Sequence, residues 1–194
     1  MDSIECAKQK VRTIIAGSSV PEDPLHAENT LLWLLRLEPR ADTALQLAAL
    51  AHDLDRAREE TKVQRADFAE YDAFKAAHAD HGAAILRRIL EACGVKAPII
   101  EEACRLVRHH ESGGDPRSDL LKEADSVSFF EVNLPLYYQR EGREETMRRC
   151  VWGYHRLSPR TQKIVRQMTC ADPDLTALLK AAIRQAGRNQ VIPD

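Results

Sequence analysis

An adjacent histidine and aspartate, His52 and Asp53, end an Ala/Leu-rich run at residues 44–51. Imidazole and carboxylate groups are the ligands that borderline divalent metals prefer in proteins. On a helix, neighbouring side chains diverge by roughly 100° around the axis, so both groups can reach one ion. An aspartate can also bridge two ions. The pair therefore predicts a centre that holds one or two metals.

Other histidines extend this pattern. Six of the seven histidines fall within the first 110 residues, on or at the ends of segments whose apolar residues recur at helical spacing. A buried imidazole must form hydrogen bonds or bind a ligand, because an unpaired polar group in a core is costly. Besides His52, these residues are His26, His78, His81, His109 and His110. His155 lies far along the chain and is interpreted as structural.

Helical periodicity accounts for most of the chain. Helices are predicted over residues 2–16, 22–37, 41–58, 68–92, 98–110, 120–131, 144–155, 159–168 and 175–186. Asp42 suits the N-cap of the helix that leads to His52, and the helix over 120–131 carries Asp125. Since no run of alternating β-branched residues is long enough to found a sheet, the sequence predicts an all-α fold.

Composition limits the class of protein. A chain of 194 residues with a formal net charge of -2 suits one domain, or one domain with a small appendage, and has no global attraction to nucleic acid, although local basic patches remain possible. It has neither a signal-peptide pattern nor an apolar run of membrane-spanning length, so we expect a cytoplasmic protein that contacts no membrane. The five cysteines are scattered and never form a CxxC pair, which predicts free thiols and neither disulfides nor a thiolate zinc site.

The ordered series of histidines and aspartates resembles the HD superfamily of metal-dependent phosphohydrolases. The likeness includes the segments HAENTLLWLL, AALAHD, HGAAIL and VRHHE, and Asp125 in an EAD context. It implies an HD-domain-like helical bundle with an HD core at residues 20–135. The same comparison predicts a C-terminal helical extension at residues 136–190, packed on the core within one domain of residues 1–194.

The resemblance also implies the ligands. His26, His52, Asp53 and Asp125 would bind a first divalent ion, with Asp53 as a bridge to a second. His81 and one or both of His109 and His110 would complete the ligand set of the second ion. Mn, Fe, Mg, Co, Ni and Zn all remain candidates. His78 lies one turn before His81. It either contacts a ligand residue without binding the metal itself, or it faces solvent.

Arg56 stands where the binuclear HD-GYP phosphodiesterases have a lysine three residues after the motif aspartate. A cation at this position can hold a substrate phosphate and neutralise charge that develops in the transition state. Asp53 and Arg56 are therefore the predicted catalytic residues, and Asp55, Glu59 or Glu60 is available to move a proton. The Gly-Tyr-Pro motif of that group is missing, so the chain is more similar to compact, stand-alone HD proteins.

The activity implied is hydrolysis of a phosphate ester, on a nucleotide or another small phosphorylated metabolite, by water that a metal activates. Two alternatives stay open at this point. One is a di-iron oxygenase of the HD type, and the other is a non-catalytic sensor that binds a metal or a nucleotide. Neither the substrate nor the oligomeric state follows from the resemblance.

Overall fold

The computed structural model describes residues 2–189, and this part of the chain contains helices and turns but no strand. The α-helices are α1 Ser3–Ile15, α2 Asp23–Leu37, α3 Thr43–Ala51, α4 Tyr71–Ala92, α5 Ala97–His109, α6 Pro116–Ser128, α7 Leu134–His155, α8 Pro159–Gln167 and α9 Pro173–Asn189. A short 3₁₀ turn, Arg65–Asp67, precedes α4, and a π-helical turn, Phe129–Asn133, joins α6 to α7. The prediction of an all-α fold is confirmed.

The chain divides into two compact units between Asp125 and Ser126. The first unit includes α1, which precedes the predicted core at residues 20–135. This unit ends at Asp125, before the predicted end of that core. In the second unit, α7 packs against α9. None of the helices among residues 2–189 combines the length and the apolar character that a membrane crossing requires.

Helix α3 is the central element of the first unit. Its residues 47–51 are all buried, and the helix packs against α1, α2 and α5. A helix that is apolar on every side is stable only when neighbours surround it, which explains why the Ala/Leu run occupies this position. The side chain of Asp42 caps the helix by accepting a hydrogen bond from the Leu45 amide at 3.0 Å.

Helix α3 ends at Ala51, before the predicted limit at residue 58. A series of turns follows, in which the Leu54 amide donates to the Ala51 carbonyl and the Arg56 amide donates to the Asp53 carbonyl. Leu54 is fully buried and anchors these turns in the core. His52, Asp53 and Asp55 therefore project from a turn at the end of a buried helix.

The later helices also depart from the predicted limits. Helix α6 begins at Pro116, and α7 begins at Leu134 with Pro135 in its first turn, where a proline needs no amide donor. Helix α7 is interrupted at Gly142, which has a φ of 77°. The segment before residue 144, which lay outside the predicted helices, is thus the first part of α7, and left-handed backbone at one glycine allows the interruption.

The prediction that all cysteines are free was wrong for two of them. Cys6 in α1 and Cys93 at the end of α4 form a disulfide, with their Cα atoms 5.8 Å apart. The packing of α1 against α4 brings them within the usual range for such a bond, although they are 87 residues apart in sequence. Cys104, Cys150 and Cys170 are free thiols.

Candidate metal centre

His26, His52 and Asp125 form a first group of metal-ligand atoms. The Nε2 atoms of His26 and His52 are 3.1 Å apart, and Asp125 Oδ1 lies 3.1 Å from the former and 3.6 Å from the latter. These residues come from α2, the end of α3 and α6, and both imidazoles are almost fully buried. Two imidazole nitrogens so close to each other need a cation or a proton between them.

Asp53, His78 and His110 form a second group, whose ligand atoms all lie within 4.8 Å of one another. His78 Nε2 lies 3.1 Å from Asp53 Oδ1, and the ring of His110 is 5.9 Å from that of His78 and 5.3 Å from that of His52. Both groups have the residue types and the spacing that can hold a metal ion.

Asp53 lies between the two groups. Its Oδ2 atom is 3.4 Å from His52 Nε2 and 3.9 Å from His26 Nε2, whereas its Oδ1 atom faces His78. One carboxylate therefore presents a different oxygen to each group. This is the arrangement that a bridging ligand between two ions requires.

The ends of two helices orient two of the imidazoles. His52 Nδ1 donates to the Ala49 carbonyl at 2.9 Å, and His110 Nδ1 donates to the Val107 carbonyl at 2.7 Å. Because a carbonyl only accepts, each Nδ1 must carry hydrogen, and Nε2 is the nitrogen left for a ligand. His52 and His110 cap the C-termini of α3 and α5, where the partial negative charge of a helix favours a cation.

Asp55 orients the third imidazole. His78 Nδ1 donates to Asp55 Oδ2 at 2.8 Å, which leaves His78 Nε2 directed at Asp53. A carboxylate behind a histidine is the usual support of a metal-binding imidazole. The sequence left the role of His78 open between support and solvent exposure, and the structure places its Nε2 in the second ligand group.

His81 and His109 lie outside both ligand groups. His81 donates from Nδ1 to the other oxygen of Asp55, and its side chain is 31% exposed. His109 is exposed, because adjacent residues at a helix end point in different directions and His110 takes the buried one. The geometry therefore brings His78 and His110 together with Asp53, whereas His81 and His109, which the resemblance implied as ligands, lie outside this group.

Arg56 carries the positive charge closest to Asp53. Its Nη1 atom lies 2.7 Å from Asp53 Oδ2, and its Nη2 atom lies 3.0 Å from an oxygen of the buried Asp23. Although burial opposes ionisation of Asp53, Arg56 and His52 hold the pKa of that carboxyl well below its usual range. The Arg56 side chain is 36% exposed, so the guanidinium also faces solvent.

The carboxylates of the two groups raise the pKa of two of the buried imidazoles. Burial alone would lower the pKa of His52, but Asp53 and Asp125 raise it to about 9. Burial opposes protonation of His78 as well, and Asp53 and Asp55 raise its pKa to about 9. His110 behaves in the opposite way, since burial lowers its pKa. A metal that binds here has to displace protons from His52 and His78.

The chain belongs to the family described as Domain of unknown function (DUF4202), whose profile matches residues 4–178. The match spans every residue of both ligand groups. Comparison with curated proteins and with solved structures gives no match.

The placement of His78 and His81 leads to a matched pair of variants. We expect His78→Ala to weaken binding of the second ion by more than about 100-fold, since loss of a ligand exceeds the 10- to 100-fold effect of losing a supporting residue. His109→Ala should retain two ions, and His81→Ala should also retain both with only a several-fold weaker second ion, because His81 contacts Asp55 and not the ligand group. Metal stoichiometry after equilibrium dialysis measures the difference. Loss of an ion from His81→Ala and not from His78→Ala would restore the ligand set that the resemblance implies.

Proposed function

We propose that this protein is a metal-dependent phosphohydrolase that acts on a nucleotide or another small phosphate ester. The single observation that supports this most directly is the position of Asp53, with one carboxylate oxygen toward His52 and the other toward His78. A pair of ions held a few ångströms apart suits the attacking and leaving oxygens of a phosphoryl group.

The donor chemistry fits such ions. The two groups together offer four imidazoles and two carboxylates, and backbone carbonyls or Asp55 hold three of the imidazoles with Nε2 facing inward. Imidazole and carboxylate donors suit Mn, Fe, Co, Ni and Zn, and an Mg ion would depend more on the carboxylates. A divalent ion at this site supplies the Lewis acidity that activates water and stabilises negative charge on phosphoryl oxygens.

Arg56 is the proposed contact for the substrate phosphate. Its guanidinium has five N–H donors, and the ion pairs with Asp53 and Asp23 involve Nη1 and Nη2. These carboxylates hold the guanidinium in one place beside the ligand groups. A phosphate that arrives there meets a cation that is already oriented, which reduces the entropy cost of binding.

A cavity of about 340 Å³ supports the choice of a small substrate. Its lining includes Lys75, Arg108 and Glu111, together with Asp72, Ala76 and Ser112. Glu111 lies beside the second ligand group, with Oε1 3.9 Å from His110 Nε2 and Oε2 3.5 Å from Lys75 Nζ. The cavity is of the size that small-molecule sites have, and we propose that it holds the leaving group.

The test is a hydrolysis assay with defined metal content. The protein is stripped with a chelator, reloaded with one metal at a time, and incubated with phosphomonoesters, nucleotides, dinucleotides and cyclic nucleotides. We expect release of phosphate or of a nucleotide product that depends on the metal. Protein that holds its ions but hydrolyses no member of this panel would contradict the proposal.

A second candidate rests on the same donor set, because histidines and aspartates with a bridging carboxylate also suit a di-iron oxygenase. Iron retained through purification, a mixed-valent spectroscopic signal and oxygen uptake that depends on an organic substrate would favour this function. A sensor, in contrast, would bind a nucleotide tightly and turn nothing over, and Asp53→Asn would leave that binding unchanged.

A further inference from the structure

Asp55 is buried and receives hydrogen bonds from three directions. Its Oδ2 atom accepts from His78 Nδ1 at 2.8 Å, while its Oδ1 atom accepts from His81 Nδ1 at 2.5 Å and from the Val63 amide at 3.1 Å. The residue is only 1% exposed. A buried carboxylate with this many donors has one permitted orientation, because loss of any donor leaves charge unsatisfied in the core.

The three donors belong to different parts of the first unit. His78 and His81 lie one turn apart on α4, whereas Val63 lies in the segment of residues 58–70 between the turns after α3 and the start of α4. We name residues 58–70 the charged loop. Most of its residues are exposed. The hydrogen bond from Val63 ties the backbone of this loop to the carboxylate that orients His78.

Other contacts of the charged loop lie nearer the surface. Glu59 accepts from Ser19 Oγ at 2.7 Å and pairs with Lys62 at 2.8 Å. Pairs of this kind between exposed side chains contribute little to stability. The bond from the Val63 amide to the buried Asp55 is therefore a stronger restraint on the charged loop than these exposed pairs.

We propose that Asp55 is a positioning residue that couples occupation of the second ligand group to the conformation of the charged loop. The inference rests on the proposed metal centre. When His78 binds a cation through Nε2, its Nδ1–H becomes a better donor and holds Asp55 more tightly. Asp55 then presents Oδ1 to the Val63 amide in a fixed position. Coupling of this kind is reciprocal, so an ordered loop also strengthens binding of the second ion.

Two sets of variants test the coupling through metal affinity. Asp55→Asn keeps the size of the side chain but presents an amide group to one of the donors. We expect it to weaken binding of the second ion by about 10- to 100-fold and to leave the affinity for the first ion unchanged. Val63→Pro removes the amide donor and should weaken binding of the second ion several-fold. Val63→Ala keeps the amide and serves as its control. Zinc titration by calorimetry gives both affinities.

Limited proteolysis reports on the loop itself. Trypsin cleaves after Arg58, Lys62 and Arg65, which all lie in the charged loop. In the wild type and in Val63→Ala, we expect a second equivalent of zinc to slow cleavage at these sites at least several-fold. In Asp55→Asn and in His78→Ala, zinc should leave the rates nearly unchanged. A residue that served stability alone would not make the cleavage rate depend on the metal.

The outcomes separate this inference from the proposed function. If the wild type binds no metal, both fail together. If it binds two ions and Asp55→Asn binds them with the same affinities, or if zinc leaves loop cleavage unchanged in the wild type, the coupling is wrong and the metal centre stands. Should Asp55→Asn fail to fold, as circular dichroism would show, the comparison of Val63→Pro with Val63→Ala still decides the question.

Discussion

Asp53→Asn is expected to lower metal-dependent hydrolysis by at least about a thousandfold and to leave a protein that no longer holds two ions. An amide oxygen can contact one ion, but it lacks the second anionic oxygen that faces His78 in the wild type. Removing one preorganised electrostatic group costs about 10²- to 10³-fold in well-studied sites, and in the proposed centre Asp53 would bind both ions in addition to its ion pair with Arg56. Turnover and metal content are measured on the same preparation.

Asp119→Asn is the control for this variant. Asp119 lies on α6, as Asp125 does, but its side chain is half exposed and pairs with Lys122 outside both ligand groups. We expect it to keep both ions and full turnover. If Asp53→Asn bound two ions and retained wild-type turnover, Asp53 would not be a bridge.

Loss of the Cys6–Cys93 disulfide is expected to have the largest effect on stability. The bond links residues 87 apart in sequence, and chain-entropy models give roughly 4 to 5 kcal/mol for a loop of that length. We therefore expect Cys93→Ser to lower the free energy of unfolding by up to about that amount under oxidising conditions. Urea unfolding gives the total, and hydrogen exchange of amides in α1 and α4 isolates the first unit.

Reductant and a second variant provide the comparison. Dithiothreitol should reduce the stability of the wild type to that of Cys93→Ser and should leave the variant itself unchanged. Cys170→Ser alters a partly exposed free thiol and should change stability by less than about 1 kcal/mol. Equal unfolding curves for the wild type and Cys93→Ser without reductant would show that the bond contributes nothing.

Much of the candidate site could be predicted because residue type and order are visible in the sequence. The Ala/Leu run leads into His52 and Asp53 at the end of a buried helix, and His26 and Asp125 join them as expected. Periodicity predicts such helices well, because a core-facing stripe is a property of the sequence itself.

The choice between neighbouring histidines depends on information that the sequence lacks. His78 and His81 are three residues apart and share a face of α4, so spacing alone cannot separate them. Asp55 separates the two side chains in the structure, since its two oxygens accept from one histidine each and only His78 lies near Asp53. An aspartate two residues after the His-Asp pair was available as a signal, but it was considered only as one of three residues that could move a proton.

The long-range pairing of two cysteines was not predicted. Nothing in the spacing of five scattered cysteines indicates that Cys6 and Cys93 meet, because their contact arises from the packing of α1 against α4. The end of α3 was missed for a related reason. The turns at residues 52–56 are stabilised by Leu54 in the core and by the bond from His52 to Ala49, and both depend on tertiary structure.

The bonds from His52 to Ala49 and from His110 to Val107 have a consequence for the speed of metal capture. Both rings are held by the backbone of their own helices, three residues away, before any ion arrives. An arriving ion meets these two imidazoles without tautomer exchange or ring rotation, and at His52 it displaces a proton, a transfer that is fast compared with movements of the chain. We therefore expect metal capture at these positions to need no slow conformational step, so that its rate rises in proportion to the metal concentration.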